Sequence, residues 1–395
     1  MMDAQVHFSF LTLVIYLLLS ITGWYCATRG YKAKKNKKRI YYGVWFLAWL
    51  IPTVFRVVNN KKVGGTDAYS YIFYFHDCLN PNTTSIYSYR TEPFFRLCNH
   101  IIRSLTDNYH IYFIIVYSII VGSFIYFIDY NLNKQVDSVM LLIMFYTYLT
   151  TFSILRSGLS IAFFVIGFVL LEKNKYLCSS VAMVVSVLMH TASIVYAGFY
   201  VFFMIYKKDK RPRLTYALMY ALGGYVLAII VRTLTLQGIL TFNLGQPVDV
   251  YLSASVQKGF WVDYWKIVVT QLILCVVLLV LRTKVNKYFL GIEDIETHNQ
   301  FKIIYLGIVY DLMVIPFTYV IDLWRGIDYF FLPRLIMWGY IISVIKKMVV
   351  KEQRGLVTAG FGFVGVAYMI FRICNDYAMV GTMPYIFEPL YKLLG

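Results

Sequence analysis

The sequence predicts an all-α polytopic membrane protein, and three observations predict it. Of its 395 residues 59% are hydrophobic and 14% charged, with a mean hydropathy of +0.63, whereas soluble domains carry ~45–50% apolar and ~25% charged residues. Apolar runs of about 20 residues, the length that crosses ~30 Å of hydrocarbon, recur from end to end. Short basic stretches fall between those runs, and they account for much of the net charge of +17 as loops that fix orientation in the bilayer. No nucleic-acid partner is needed to explain the charge. No stretch is long and polar enough to form a soluble unit, so the chain is expected to be a single transmembrane domain, 1–395.

The elements follow from hydropathy and charge. The first apolar run, Phe8 to Ala27, has no basic stretch before it and no small-residue cleavage site after it, which makes it a retained span. Arg29 to Arg39 (RGYKAKKNKKR) holds seven cations and no acid, so it belongs to the cytoplasm and the N-terminus outside. Tyr41 to Val58 then leads outward to a first external loop, 59–108, and Tyr109 to Asp129 returns. Lys207 to Arg213 (KKDKRPR) is the next firm cytoplasmic marker, so an even number of crossings must separate the two basic loops. Continuous helices over 138–171 and 176–206 would be about 51 and 46 Å long, well beyond the hydrocarbon thickness. Two hairpins satisfy both length and parity. They place Glu172–Lys175 in the cytoplasm and Arg156 and His190 at the external surface. Leu214 to Arg232 leads to a second external loop, 233–264, and Trp265 to Leu281 returns to Arg282, Lys284 and Lys287. Phe301 to Val320 exits, Asp328 to Ile345 returns to the basic Lys346–Arg354 loop, and Gly355 to Cys374 exits last. The count is about twelve transmembrane helices with both termini outside.

Basic residues should be scarce outside, yet this topology puts Arg56, Arg90, Arg96, Arg103, Arg156, Arg232, Arg325 and Arg372 on or near the outer face. For Arg56, Arg96, Arg103, Arg232 and Arg372 snorkelling to lipid headgroups suffices. Arg156, His190 and Arg325 differ, because each immediately precedes a helix running inward. Its free N–H groups and positive dipole end make such a terminus an anion site, and three facing one cavity would suit a phosphate or diphosphate. In Leu155-Arg-Ser-Gly-Leu159 a tight turn, a capping hydroxyl and a glycine accompany Arg156. Met189-His-Thr191 lies at a hairpin tip with Ser193 nearby, although a lone histidine is often a satisfied core residue. Arg325, in Leu323-Trp-Arg-Gly-Ile327, is equally readable as an interface anchor. Arg334 receives no role.

The first external loop contains Gly64-Gly-Thr-Asp-Ala-Tyr-Ser-Tyr71 and Tyr89-Arg-Thr-Glu-Pro-Phe-Phe95. Aromatics beside carboxylates suit sugars, since a ring stacks on a pyranose face while Asp or Glu takes a hydroxyl proton. An interfacial aromatic belt with solvated charges would look the same. Asp249-Val-Tyr251 and Lys258-Gly-Phe-Trp261 repeat the theme in the second loop. The sequence has no GxxxxGK[ST], GxGxxG or HExxH motif, no Cys/His zinc spacing and no Asp-x-Asp, so neither cofactor nor metal is expected. Of six cysteines, Cys26, Cys178, Cys275 and Cys374 lie in apolar runs. Cys78 and Cys98 share one polar loop and could pair only in an oxidising space.

The order of these pieces resembles the EpsG-like branch of the Wzy-type polysaccharide polymerases of bacterial membranes. The matching residues are Gly65-Thr-Asp67 followed by Tyr69 and Tyr71, Glu92-Pro93, the Ser153-to-Arg156 turn, His190 with Ser193, Arg325 with Tyr329, and the Pro384-Tyr385 ending. The family often has a glutamine after the central arginine where this chain has Ser157. The resemblance implies a GT-C-like, inverting, metal-independent glycosyltransferase on the external face of the plasma membrane, acting on undecaprenyl-diphosphate-linked oligosaccharides as donor and acceptor. A chain-length regulator and a flippase are the implied protein partners. Arg156, His190 and Arg325 would hold the diphosphate, Asp67 first and Glu92 second would serve as base, and Tyr69, Tyr71, Arg90 and Tyr251 would contact the glycan. Two rivals share much of this sequence logic. A flippase or ion-coupled carrier gains if 138–171 and 176–206 are single tilted helices, which would put Arg156 and His190 near the bilayer midplane where carriers keep charged sites, and a ligase would differ in its acceptor.

Overall fold

The fold is that of a computed structural model in which residues 5–80, 91–207, 294–320 and 328–389, and isolated helical positions between 219 and 287, are described. Nearly all of these residues are helical, as composition predicts, and among them the extended pairing is confined to one bridge, Arg56 to Phe387. Among the described residues, four helical stretches are long and apolar enough to cross a bilayer: Phe10–Gly30, Tyr109–Asn131, Leu155–Glu172 and Lys351–Val380. The expected spans 214–232 and 265–281 and the second external loop lie largely or wholly outside the described residues.

Helices α1 (Phe10–Gly30) and α2 (Lys35–Val54) form an antiparallel hairpin. The basic stretch expected as a loop is mostly the end of α1 and the start of α2, because Lys and Arg are good helix formers. Among its described residues the loop 59–108 carries two helices too short to cross, α3 (Ala68–Asp77) and α4 (Pro93–Leu105). On α4 the buried residues Phe95, Asn99 and Ile102 recur at helical spacing while Leu97, Ile101 and Leu105 are exposed, the pattern of a helix lying along an apolar boundary. Helix α5 (Tyr109–Asn131) is capped by Asn108, whose side chain accepts from the His110 N–H at 2.9 Å.

The central stretch breaks just before Arg156 and at His190, where the hairpin reading expected its turns. A 3₁₀ turn, Val139–Ile143, runs into α6 (Met144–Thr150), and a tight turn at residues 151–154 separates it from α7 (Leu155–Glu172). Helix α8 (Tyr176–Met189) ends at His190, beyond which lie a 3₁₀ turn, Thr191–Ser193, and the short α9 (Ile194–Ala197) and α10 (Phe199–Tyr206). The outer arms, Val139–Thr150 and Thr191–Tyr206, are shorter than the ~20 residues a full crossing needs. Helices α7 and α8 pack antiparallel on small residues. Ser160 Oγ donates to the Ser186 carbonyl at 2.7 Å, Ser186 Oγ to the Ser160 carbonyl at 2.8 Å, and Ser179 Oγ to the Gly167 carbonyl at 2.7 Å. Hydroxyls and glycine let two backbones approach closely where lipid offers no hydrophobic contrast. The start of α7 and the end of α8 therefore share one end of the pair, with Lys173–Lys175 at the other.

Helix α11 (Ile295–Val320) and α12 (Phe331–Met348) are joined by a buried two-point ion pair, Arg334 Nε and Nη2 on Asp311 at 2.6 and 2.8 Å. The last helix, α13 (Arg354–Val380), ends at Gly381 in the left-handed conformation, φ +69°. The chain then folds back to α1 and α2. Tyr385 N donates to Thr12 Oγ1 at 2.9 Å, its hydroxyl to the Pro52 carbonyl at 3.1 Å, and Val57 N to the Ile386 carbonyl at 2.9 Å.

Candidate functional site

The glycine pair of the first loop locks that loop onto the turn preceding α7. Gly64 (φ +80°) and Gly65 (φ +123°) occupy backbone conformations that L side chains rarely adopt, and a Cβ on Gly65 would lie 2.2 Å from the Phe152 carbonyl oxygen. Arg56 clamps the same region from within, and its sequence reading as a snorkelling residue is corrected here: it is 1% exposed. Its guanidinium donates to the Gly64 carbonyl at 2.6 Å, the Tyr117 hydroxyl at 2.9 Å, the Thr53 carbonyl and the Phe152 carbonyl, and lies over the rings of Phe113, Tyr117 and Phe152. Snorkelling fails because five backbone and aromatic partners surround the charge before it could reach a headgroup.

This frame brings three of the sequence-selected residues together. Glu92 precedes Pro93 at the N-terminus of α4, where a carboxylate would ordinarily cap its own helix. Instead its side chain leaves the helix and spans to the α7–α8 pair. Arg156 Nη1 donates to Oε2 at 2.7 Å, His190 Nδ1 to Oε1 at 2.8 Å, and the Thr191 N–H to Oε1 at 3.4 Å. An ionised carboxylate only accepts, so Nδ1 of His190 carries the proton in this arrangement. Burial alone would raise the Glu92 carboxyl, but the His190 hydrogen bond and the charges of Arg156 and His190 outweigh it and hold it at about 2. Arg156 falls within the first turn of α7 rather than just before it, and His190 is the residue from which the next turn starts.

Around this centre the remaining selected residues divide. Tyr71 is buried and its side chain is a further hydrogen-bond partner of Arg156. Asp67 is the N-cap of α3, one turn before Tyr71, and its side chain makes no cap hydrogen bond there. Tyr69 is exposed, two residues from Tyr71 and so away from its partner's face. Arg325, Arg90 and Tyr251 lie outside the described residues. Tyr329, four residues beyond Arg325, donates to Ser160 Oγ at 2.8 Å and stacks on Tyr196 with ring centroids 4.6 Å apart. Cys78 and Cys98 are both free thiols.

Sequence reasoning missed the partners of Arg372 and Arg334. Arg372, assigned to snorkelling, is instead tied to Asp376 (Nε to Oδ2, 2.8 Å), Tyr146 (2.7 Å) and Tyr368 (3.1 Å). Its four-residue spacing to Asp376 is the signal that could have found the pair. The Asp311–Arg334 pair has no such signal, since the partners are on different helices.

A polytopic helical membrane protein with an Arg–Glu–His cluster gathered at one end of a packed helix pair is the class these features define. A family comparison then places the chain: residues 42–387 match the model of the EpsG family, and the chain belongs to that family. The family includes Wzy-type polymerases, which makes this a polysaccharide-polymerase-type membrane protein. No curated protein and no solved structure matches the chain.

Proposed function

We propose that the protein is a membrane glycosyltransferase that joins undecaprenyl-diphosphate-linked repeat units into a polysaccharide on the external face of the bacterial plasma membrane. The observation that carries this reading is the grip of Arg156 and His190 on the two oxygens of one buried carboxylate. Two donors converging on a pair of anionic oxygens are an anion site, and a phosphoryl group presents the same acceptors. In this reading Glu92 occupies the place that a lipid diphosphate takes over. The diphosphate then draws Arg156 and His190 to itself, with Arg325 as the third cation that the family resemblance supplies.

The chemistry balances with these residues alone. A hydroxyl oxygen of the acceptor sugar attacks the donor's anomeric carbon, the bond from that carbon to the diphosphate oxygen breaks, and the lipid diphosphate leaves with the electron pair. Arg156 and His190 stabilise the charge that develops on it. The hydroxyl proton goes to Glu92, whose basicity rises once its two partners turn to the diphosphate. Glu92 is favoured over Asp67 for this role because it is the carboxylate in contact with both cations, while Asp67 stands a turn away on α3.

The test incubates the purified protein with lipid-linked repeats in detergent, without nucleotide. A ladder of longer lipid-linked products is expected, abolished by Arg156→Ala in a protein that stays monodisperse. Product only on a different lipid or protein acceptor would make it a ligase. No product with any acceptor, or a fully active Arg156→Ala, would overturn the proposal.

A further inference from the structure

The sequence places Glu172 in a cytoplasmic turn beside Lys173 and Lys175, but the fold takes its side chain inside. Glu172 is 4% exposed, and Asn131, which meets it from the last turn of α5, is fully buried. The two residues end their helices together, at the end of α7 opposite Arg156. An ionisable group buried at such a place is a functional-site candidate by default. Asn131 Nδ2 donates to Glu172 Oε2 at 3.0 Å and to the Phe127 carbonyl at 3.2 Å. The Phe127 contact fixes which way the amide points, since turning it over would set its oxygen against a carbonyl that can only accept. Two buried atoms then lack a hydrogen-bond partner among the described residues, Glu172 Oε1 and Asn131 Oδ1.

Both atoms are acceptors, and buried acceptors need a donor. The titratable groups around Glu172 come from its own turn, from α5 and from α11: Lys173, Tyr130 and, beyond Tyr130, Glu296. Lys173 is committed elsewhere, its ammonium donating to the Tyr126 hydroxyl at 3.0 Å and lying over the Tyr126 and Tyr130 rings at 4.6 and 4.7 Å. Glu296 adds negative charge rather than a donor. On the α8 side Lys175 is exposed, and the Tyr176 hydroxyl donates to Asn174 Oδ1 at 2.8 Å. A hard divalent cation gathers about six oxygens, and among the described residues no group of three or more His, Cys, Asp or Glu side chains is arranged to hold a metal.

A single proton satisfies both atoms. A protonated carboxyl carries one O–H donor. Placed on Glu172 Oε1, that proton is donated to Asn131 Oδ1, and together with the Nδ2–Oε2 bond it closes acid and amide into a ring of two hydrogen bonds. No polar atom of either side chain is then left over. The proton also removes a charge that an apolar interior makes costly, because a buried carboxylate without a cation in contact neutralises instead. Glu92 is the contrasting case, with Arg156 on one oxygen and His190 on the other. We propose that Glu172 and Asn131 form a buried proton-binding site, a neutral acid–amide pair that ties the end of α5 to the end of α7. The site lies at the opposite end of α7 from the Glu92 cluster and does not depend on the reaction proposed there.

Infrared spectroscopy of the detergent-solubilised full chain at neutral pH, without substrate, reads this directly. The parent should show the carbonyl stretch of a protonated carboxylic acid, and carbon-13 labelling of its glutamates should move that band to lower frequency. Glu172→Gln should lose the band. Asn131→Leu should shift it to higher frequency, because the acid loses its hydrogen-bonded partner. Glu172→Gln should also melt with the parent, since a glutamine amide can donate to Asn131 Oδ1 where the acid did. A parent without an acid band, or with a band that glutamate labelling does not move, overturns the site, and that measurement stands even where Glu172→Gln fails to fold. A labelled band that persists undiminished in folded Glu172→Gln overturns it as well. So does a melting temperature that rises with added sodium or potassium in the parent but not in Glu172→Gln, which would put an alkali cation in the proton's place.

Discussion

At the residue scale the decisive group is Glu92, because one carboxylate holds both Arg156 and His190. Its ordinary value near 4.5 is depressed to about 2 in the fold, a difference that corresponds to roughly 3 kcal/mol at about 1.4 kcal/mol per unit. A depressed acid stabilises the fold above its unfolded pKa and loses that contribution as pH falls through the folded one. The cluster should therefore be intact at pH 5 and above and dissolve between about pH 4.5 and 2, which thermal unfolding of the purified protein across that range would register. Glu92→Gln separates the two roles assigned to Glu92. If the carboxylate both occupies the anion site and later takes the proton, the variant binds undecaprenyl diphosphate at least as tightly as the parent yet forms no ladder. A variant that retains full polymerisation would leave Glu92 with a structural part only, and would return Asp67 to first place as base.

Elements explain why the glycine motif of the first loop matters. Gly65 combines a positive φ with a carbonyl 2.2 Å from where a Cβ would stand, and the left-handed conformation alone costs an L residue about 1–2 kcal/mol. Gly65→Ala should lower stability by roughly 3 kcal/mol or more and push the loop off Phe152, four residues from Arg156, with activity falling accordingly. Gly360→Ala, where nothing lies within 4 Å of the added methyl, should be neutral or slightly stabilising in the same melts, as helix propensity predicts. Much of this level was legible in sequence: the two breaks in 138–206 follow from helix length, and Arg156 and His190 share one end because the intervening Glu172–Lys175 turn reverses the chain. What was not legible depends on neighbours remote in sequence. Arg56 has the composition of a snorkelling residue, and only the approach of Phe113, Tyr117 and Phe152 from two other elements turns it into an internal clamp. Glu92 was readable as a base but not as a bridge, since its partners lie 64 and 98 positions away.

At the scale of the whole molecule, two questions follow from charges buried in an apolar body. The Asp311–Arg334 pair fixes α11 against α12 with both groups largely buried. Arg334→Met strands Asp311 and should cost about 3–5 kcal/mol, while the double variant Arg334→Met/Asp311→Leu should recover most of that, as replacement of buried pairs by apolar ones often does; melting temperatures in one detergent read the difference. The second question is which side of the bilayer the Glu92 cluster faces, and the positive-inside rule supplies the expected answer. The antiparallel α7–α8 pair puts Asn174 at the end opposite Arg156 and His190, and Asn174 is exposed at a turn flanked by Lys173 and Lys175. Asn60 is exposed in the loop that Gly64 and Gly65 fasten to the Arg156 turn. In a background with the six cysteines replaced, single cysteines at positions 60 and 174 should react oppositely with a membrane-impermeant maleimide on spheroplasts: 60 labels at once, and 174 labels only after permeabilisation. The reverse pattern would turn the anion site toward the cytoplasm. There a polymerase fed with lipid-linked repeats from outside has no access to its donor, so the external reaction would fall with it.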